Sequence, residues 1–225
     1  GAARPSIADP FLPLKISEGR IEDIRECIGC NICYAHDSLG VPIRCTQNPT
    51  MGEEWRFGWH PEKIKKKKSP KRFLVVGAGP SGLEAARVLG EQGNKVILAE
   101  ATRNLGGRVI KESNLLGLAE WRRVSDWRIT QINKLPNIEI YRESELVAND
   151  VTELNVDFVM IATGAKWAED AVGRHSDTGF EITDKNMIIG AERILNGEKI
   201  EAECIVIYDD DHYYIGSVMA LELAK

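Results

Sequence analysis

Residues 72–100 read RFLVVGAGPSGLEAARVLGEQGNKVILAE, and the fold class follows from them. Phe73 to Val76 is a short continuous apolar run of the buried-strand kind. Gly77-Ala78-Gly79-Pro80-Ser81-Gly82 follows as a GxGxxG turn. Leu83 to Gln92 then reads as a helix, closed by Gly93 at its C′ position. Lys95 to Glu100 is a second strand with an acid at its end. In that context each glycine has a task. Gly77 makes the tight turn, Gly79 lets backbone approach a pyrophosphate, and Gly82 lets helix and strand pack closely. The helix N-terminus that follows Pro80 and Ser81 offers free N–H groups and a positive dipole end to phosphate. Glu100 stands where a carboxylate accepts from an adenosine ribose hydroxyl. The unit reads as an adenine-nucleotide site; the alternative is a nucleotide-free relic of the same fold.

Downstream, Leu118 to Leu135 is a long amphipathic helix, Ile138 to Tyr141 and Asp157 to Ala162 are strands, and 186–196 is a helix. Cys204 to Tyr208 is a further strand, with Cys204 packed inside it. Strands alternating with helices predict an α/β fold with a parallel, doubly wound (Rossmann-like) sheet over 72–168. Leu105-Gly106-Gly107-Arg108 and Ala162-Thr163-Gly164 are short signals that would lie near the same ligand. Residues 169–225 look like the start of a second such unit. Its turn reads DDDHYYIG over 209–216, without the early glycines. Three aspartates would meet a pyrophosphate with like charge and bulk, so no NAD(P)H binding is expected there.

Upstream, the cysteines fall as Cys27-x2-Cys30-x2-Cys33-x11-Cys45. Two successive x2 spacings wrap a chain around a cubane, each thiolate meeting a different iron, and Gly29 and Asn31 suit the tight turn. A [4Fe–4S] cluster fits this spacing best. Structural zinc, which usually takes pairs of cysteines across a longer spacer, is the rival, with free thiols behind it. Residues 21–62 form this loop-rich segment, with Trp55, Phe57 and Trp59, and need something other than an apolar core to hold them. Residues 1–20 read as irregular and Pro-rich, residues 18–26 as a short helix capped by Ser17, and 63–71 as a Lys-rich solvated linker. His36, His60, His175 and His212 read as surface or packing residues, and no catalytic residue is expected in this stretch.

Composition narrows the classes further. The 225 residues are 43% apolar, with 29 basic and 34 acidic side chains and a net charge of −5. That balance does not suggest nucleic-acid binding. No apolar run of ~18 residues predicts a membrane span, and no secretory leader is evident. Clustered cysteines without a leader read as metal or redox chemistry in a reducing, cytoplasmic setting. The opening GAARPSIADPFLPLK and the closing GSVMALELAK read as the ends of a piece of a longer protein.

The run CIGCNICYAHDSLGVPIRCTQNPTMGEEWRFGWHPEK, then VVGAGPSGLEAARVL, then MIATGA, resembles the trimethylamine dehydrogenase family, which includes dimethylamine and histamine dehydrogenases and, more distantly, 2,4-dienoyl-CoA reductase. The resemblance covers nearly the whole chain. It implies that residues 1–20 are the tail of an FMN-binding (β/α)8 barrel, with Arg4 near the flavin phosphate. It implies that Cys27, Cys30, Cys33 and Cys45 hold one [4Fe–4S] cluster, and that Gly77, Gly79, Gly82 and Glu100 bind ADP or the same portion of FAD. The amine dehydrogenase branch passes electrons to an electron transfer flavoprotein; the reductase branch uses NADPH at an intact second glycine loop. The aspartates at 209–211 favour oxidation of a small amine, in a protein expected to be a homodimer. A reductase and a non-catalytic electron-relay module are the alternatives.

Overall fold

A computed structural model describes residues 2–173, 175–184 and 187–224. Along the chain come helices α1 (Ala3–Ala8), α2 (Leu12–Ser17), α3 (Ile32–Ser38) and α4 (Glu54–Phe57), then strand β1 (Arg72–Val76), α5 (Pro80–Glu91), β2 (Lys95–Ala99) and α6 (Arg108–Glu112). They are followed by α7 (Arg123–Asn133), β3 (Ile138–Tyr141), α8 (Ala148–Glu153), β4 (Phe158–Ile161), α9 (Ala191–Leu195) and α10 (Tyr214–Leu223). Two compact units result: residues 1–110 with 120–163, and residues 111–119 with 164–225.

In the first unit all four strands are parallel, in the order β3-β2-β1-β4. The sheet grows one way from β1 to β3 and then the other way to β4. The loops after β1 and β4 therefore meet at the switch point, where open α/β sheets bind ligands. The core is Val75, Leu83, Ala86, Val96, Leu98, Leu105 and Ile132, which packs α5 and α7 against the sheet. Helix α5 ends in a Schellman motif. Gly93, at φ +88°, donates to Gly90 O at 2.8 Å, and Asn94 donates to Leu89 O at 3.1 Å.

Several expectations need correction. Residues 1–20 are not irregular but carry α1 and α2. Ser17 ends a helix rather than starting one: Gly19, at φ +72°, turns the chain, leaving only a 3₁₀ turn at Ile21–Asp23 in place of the helix over 18–26. Helix α5 starts at Pro80, three residues before the apolar run, because proline's fixed φ suits the first turn. The helix expected over 118–135 opens with a 3₁₀ turn, Ala119–Arg122, before α7. In the second unit the helix expected over 186–196 shrinks to α9; Asn186 itself lies outside the described residues. Residues 204–208 form no strand among the described residues, for none pairs with them, and Cys204 is exposed rather than packed. The linker 63–71 is exposed almost throughout, as read; it is pinned by Lys67 N–H to Gln92 O and Lys71 N–H to Asn94 Oδ1, at 2.8 and 3.0 Å.

Between α5 and α7 lies a buried ionic layer. Arg87 bridges Glu84 and Glu91, each at 2.6 Å, and Arg128 Nε sits 2.8 Å from Glu84 Oε2. Arg25 stacks over the Trp127 ring at 4.2 Å, and burial lowers its guanidinium to about 10, still charged at neutral pH. Burial alone would push Glu84 up, but the Arg87 hydrogen bond and the charges of Arg87, Arg128 and Arg25 hold it below its ordinary 4.5. In the unfolded chain Glu84 binds its proton more readily. Its stabilising contribution is therefore complete above the ordinary range and is lost as pH falls through the lowered value. Glu84→Gln is expected to flatten that acid loss and to lower stability at pH 7; urea midpoints across a pH series check both.

Candidate functional site

The GxGxxG turn is shaped by steric necessity. Gly77 has φ +98°, and a Cβ there would sit 2.4 Å from Ala162 O. A Cβ on Gly82 would lie 1.8 Å from Gly77 O. Gly79 differs: a Cβ there would project into open space, the property required where a ligand approaches backbone. Gly79 is the N-cap of α5, so the amides of Ser81 and Gly82 open the helix beside that space, with Pro80 at the first position.

Glu100 follows β2 directly and is 8% exposed. Its Oε2 accepts Ala78 N–H at 2.8 Å, and its Oε1 accepts Thr102 N–H at 2.9 Å and the Thr102 hydroxyl at 2.8 Å. A carboxylate has about four lone-pair positions, so one remains for a ribose hydroxyl. Thr102 was not singled out in the sequence, although its spacing of two from Glu100 is the usual local hydrogen-bonding distance of a threonine. The other two loops also arrive. Gly106 donates to Ala78 O at 2.8 Å, and a Cβ on Gly107 would meet Gly79 Cα at 3.0 Å. Arg108 then begins α6. Ala162 donates to Val76 O at 2.8 Å, and Thr163 Cα lies 3.2 Å from the Cβ position of Gly77. Gly164, at φ +84°, already belongs to the second unit.

Cys45 lies within electrostatic reach of Cys30 and Cys27. Gly29, at φ +69°, turns the chain so that its N–H points at Cys27 Sγ, 3.4 Å away. Cys30 Sγ lies 3.2 Å from Thr46 Oγ1 and packs against buried Ile28, Val109 and Val124. Cys33 is on the first turn of α3. Burial foremost pushes the Cys45 thiol up; backbone N–H groups of Asn48 and Gln47 act against this, and the charges of Cys30 and Cys27 add to it. Sulfurs that repel one another while taking backbone N–H groups form a donor set suited to a cationic cluster. Among the described residues, no three His, Cys, Asp or Glu side chains converge on a single ion. A cubane needs no such convergence, since each thiolate meets its own iron. Arg4, on α1, hydrogen-bonds Asn31 Oδ1, inside the cysteine loop, where Asn31 takes φ +58°.

Residues 49–195 match the family described as pyridine nucleotide-disulphide oxidoreductase. The chain belongs to this family. Over its whole length it is 43% identical to dimethylamine dehydrogenase of Hyphomicrobium sp.. The solved structure of histamine dehydrogenase from Rhizobium sp. 4-9 superposes on 99% of it with a TM-score of 0.91 and 52% identity. That of 6-hydroxypseudooxynicotine amine oxidase from Pseudomonas geniculata N1 covers 100% of it, with a TM-score of 0.94 and 47% identity. The chain spans about a third of each relative: 32%, 33% and 34%. The resemblance to the trimethylamine dehydrogenase family and the α/β fold are both borne out. No helix among the described residues is long and apolar enough to cross a membrane.

The sequence did not point to Lys15, Asp9, Gln47 and Arg128, which hold the cysteine segment in place. Lys15 Nζ meets Asp9 Oδ2 at 2.7 Å and both Asp23 O and Glu62 Oε1 at 2.9 Å. Lys15, Asp9 and Arg128 lie in no motif, and Gln47 carries no mark of its own within the quoted cysteine run. The second unit's turn is closed by its own acid: Asp209 Oδ1 accepts the N–H groups of Asp211 and His212, each at 3.1 Å. A Cβ on Gly216 would meet Asp209 Oδ2 at 2.4 Å.

Proposed function

We propose that this chain is the electron-relay and nucleotide-binding portion of an iron–sulfur flavoprotein that oxidises a small amine and delivers the electrons to an electron transfer flavoprotein. The reading rests on one combination: a four-cysteine loop packed in the same unit as an open GxGxxG cradle, while the Asp209 carboxylate fills the start of the second turn. The similarity to amine dehydrogenases over the whole chain supports it. In this reading residues 1–20 end an FMN barrel, 21–62 carry the cluster, 63–71 link, 72–168 hold ADP or FAD, and 169–225 begin a degenerate second unit.

Cys27, Cys30, Cys33 and Cys45 would hold a [4Fe–4S] cluster, which when bound accepts electrons singly. Gly29 N–H brings partial positive charge to the Cys27 sulfur, and Asn48 N–H and Gln47 N–H bring it to that of Cys45. Gly77, Gly79, Pro80, Ser81, Gly82, Gly107, Arg108, Thr163 and Gly164 would line the diphosphate, and Glu100 would take the ribose. Arg4 would reach the flavin phosphate from beside the cysteine loop. The full protein is a cytoplasmic homodimer in this reading.

The test is the full-length protein. Four irons and four sulfides per chain, with ADP released by acid, are the expected results, together with reduction by a small amine and not by NADPH. Released FAD with rapid reduction by NADPH would move the chain to the reductase reading.

A further inference from the structure

A buried chain of polar contacts runs from the nucleotide helix to both arms of the cysteine loop, and no motif accounts for it. Glu84 lies on α5, one turn after Gly79 and Pro80. Arg128, on α7 and 4% exposed, places Nε 2.8 Å from Glu84 Oε2. Its Nη1 donates to Gln47 Oε1 at 3.0 Å and to Val124 O at 2.8 Å. Gln47 is 1% exposed, two residues after Cys45, and its Nε2 donates to Glu26 O at 2.9 Å, one residue before Cys27. Gln47 is thus a rung between the Cys45 arm and the Cys27–Cys33 arm. Arg123, at the start of α7, adds a contact to Cys27 O at 3.4 Å.

We propose that Arg128 is a positioning residue for the iron–sulfur cluster: through Gln47 it fixes the separation of the two cysteine arms, and through Glu84 it fastens them to the helix that opens the nucleotide site. The proposal rests on the cluster reading above. Arginine suits the place because its planar fork reaches Glu84 and Gln47 at once, which a lysine's single ammonium cannot reproduce in that geometry. The two arms must stand a fixed distance apart to meet four irons, and a half-buried loop with few apolar contacts cannot set that distance by packing alone. The guanidinium also lies within electrostatic reach of Cys45, burial and the Glu84 charge being the larger influences on it.

The test uses the full-length holoenzyme and two variants. Gln47→Glu keeps an acceptor for Arg128 but replaces the N–H donated to Glu26 O by a carboxylate oxygen that repels that carbonyl, so it breaks the rung while Arg128 keeps its partners. Arg128→Met removes the joint. Each is expected to release iron to a chelator roughly tenfold faster than wild type, the low end of what outer-shell changes cost in metal affinity. Each is also expected to alter the electron paramagnetic resonance line shape of the reduced cluster, and Arg128→Lys to do so less. Wild-type release rate and line shape in both variants, with only a lower melting temperature, overturns the proposal. If Arg128→Met does not fold, Gln47→Glu decides alone. A wild-type protein without iron and sulfide fails the cluster reading itself, a different result from a cluster indifferent to Gln47.

Discussion

Lys15→Met is expected to destabilise the first unit by about 3–5 kcal/mol, the usual cost of removing one partner from a buried ion pair. Lys15 is 1% exposed, and its three N–H donors meet three acceptors: Asp9 Oδ2, Asp23 O and Glu62 Oε1. Asp9 is equally committed. Its Oδ1 accepts Phe11 N–H at 3.0 Å, and its Oδ2 accepts Arg25 N–H at 2.8 Å besides Lys15. With methionine in place, the Asp9 carboxylate stays buried without its cation, and Glu62 loses its partner. The double variant Asp9→Asn, Lys15→Met should recover part of the loss, since no uncompensated charge remains. Guanidinium denaturation of the wild type, the single variants Lys15→Met and Asp9→Asn, and the double variant reads the coupling. A single-variant loss below about 1 kcal/mol would mean that water reaches the pair and that the knot does not hold the cysteine segment.

Gly77→Ala should cost both stability and nucleotide. At φ +98° an L side chain is strained by about 1–2 kcal/mol, and the added methyl would lie 2.4 Å from Ala162 O. Relief requires β4's end or the turn to move, a cost of about 1–3 kcal/mol more by overpacking. Either movement displaces Gly79 and the start of α5, which form the cradle. Gly93→Ala is the control: φ is +88° but nothing lies within 4 Å. It should lose only the backbone cost and keep its nucleotide. Melting temperatures and acid-released nucleotide for both variants separate collision from conformation. Full nucleotide content in Gly77→Ala would remove the turn from the site.

The strand–turn–helix of the candidate nucleotide cradle was legible because its geometry is local. Gly77, Gly79, Gly82 and Glu100 occupy one strand–turn–helix–strand unit, so spacing alone carries the geometry. The cysteine spacing was legible for the same reason. What surrounds the cysteines was not. Lys15 finds Glu62, Trp127 finds Asp23, and Arg128 finds Gln47 across long stretches of chain, and nothing local marks a lysine or a glutamine as buried. The short helices α1 and α2 were missed because each is about six residues long and interrupted by prolines, too short for a period to show. The apolar run at 204–208 predicts a strand that packs Cys204, but a strand needs a neighbour to hydrogen-bond, and among the described residues none pairs with it.

The rung between Gln47 and Arg128 spans 81 residues of sequence. During synthesis at about 5–20 residues per second, the cysteines leave the ribosome roughly 4–16 s before α7 exists to hold them. Early in its life the chain therefore presents four thiols on an unbraced loop, and the loop-closure entropy is offset only once the sheet has folded. If the cysteines take the proposed cluster, its assembly is a late event that waits for the sheet and α7, and truncations that end before Arg123 should yield chains that bind iron poorly however intact their cysteines.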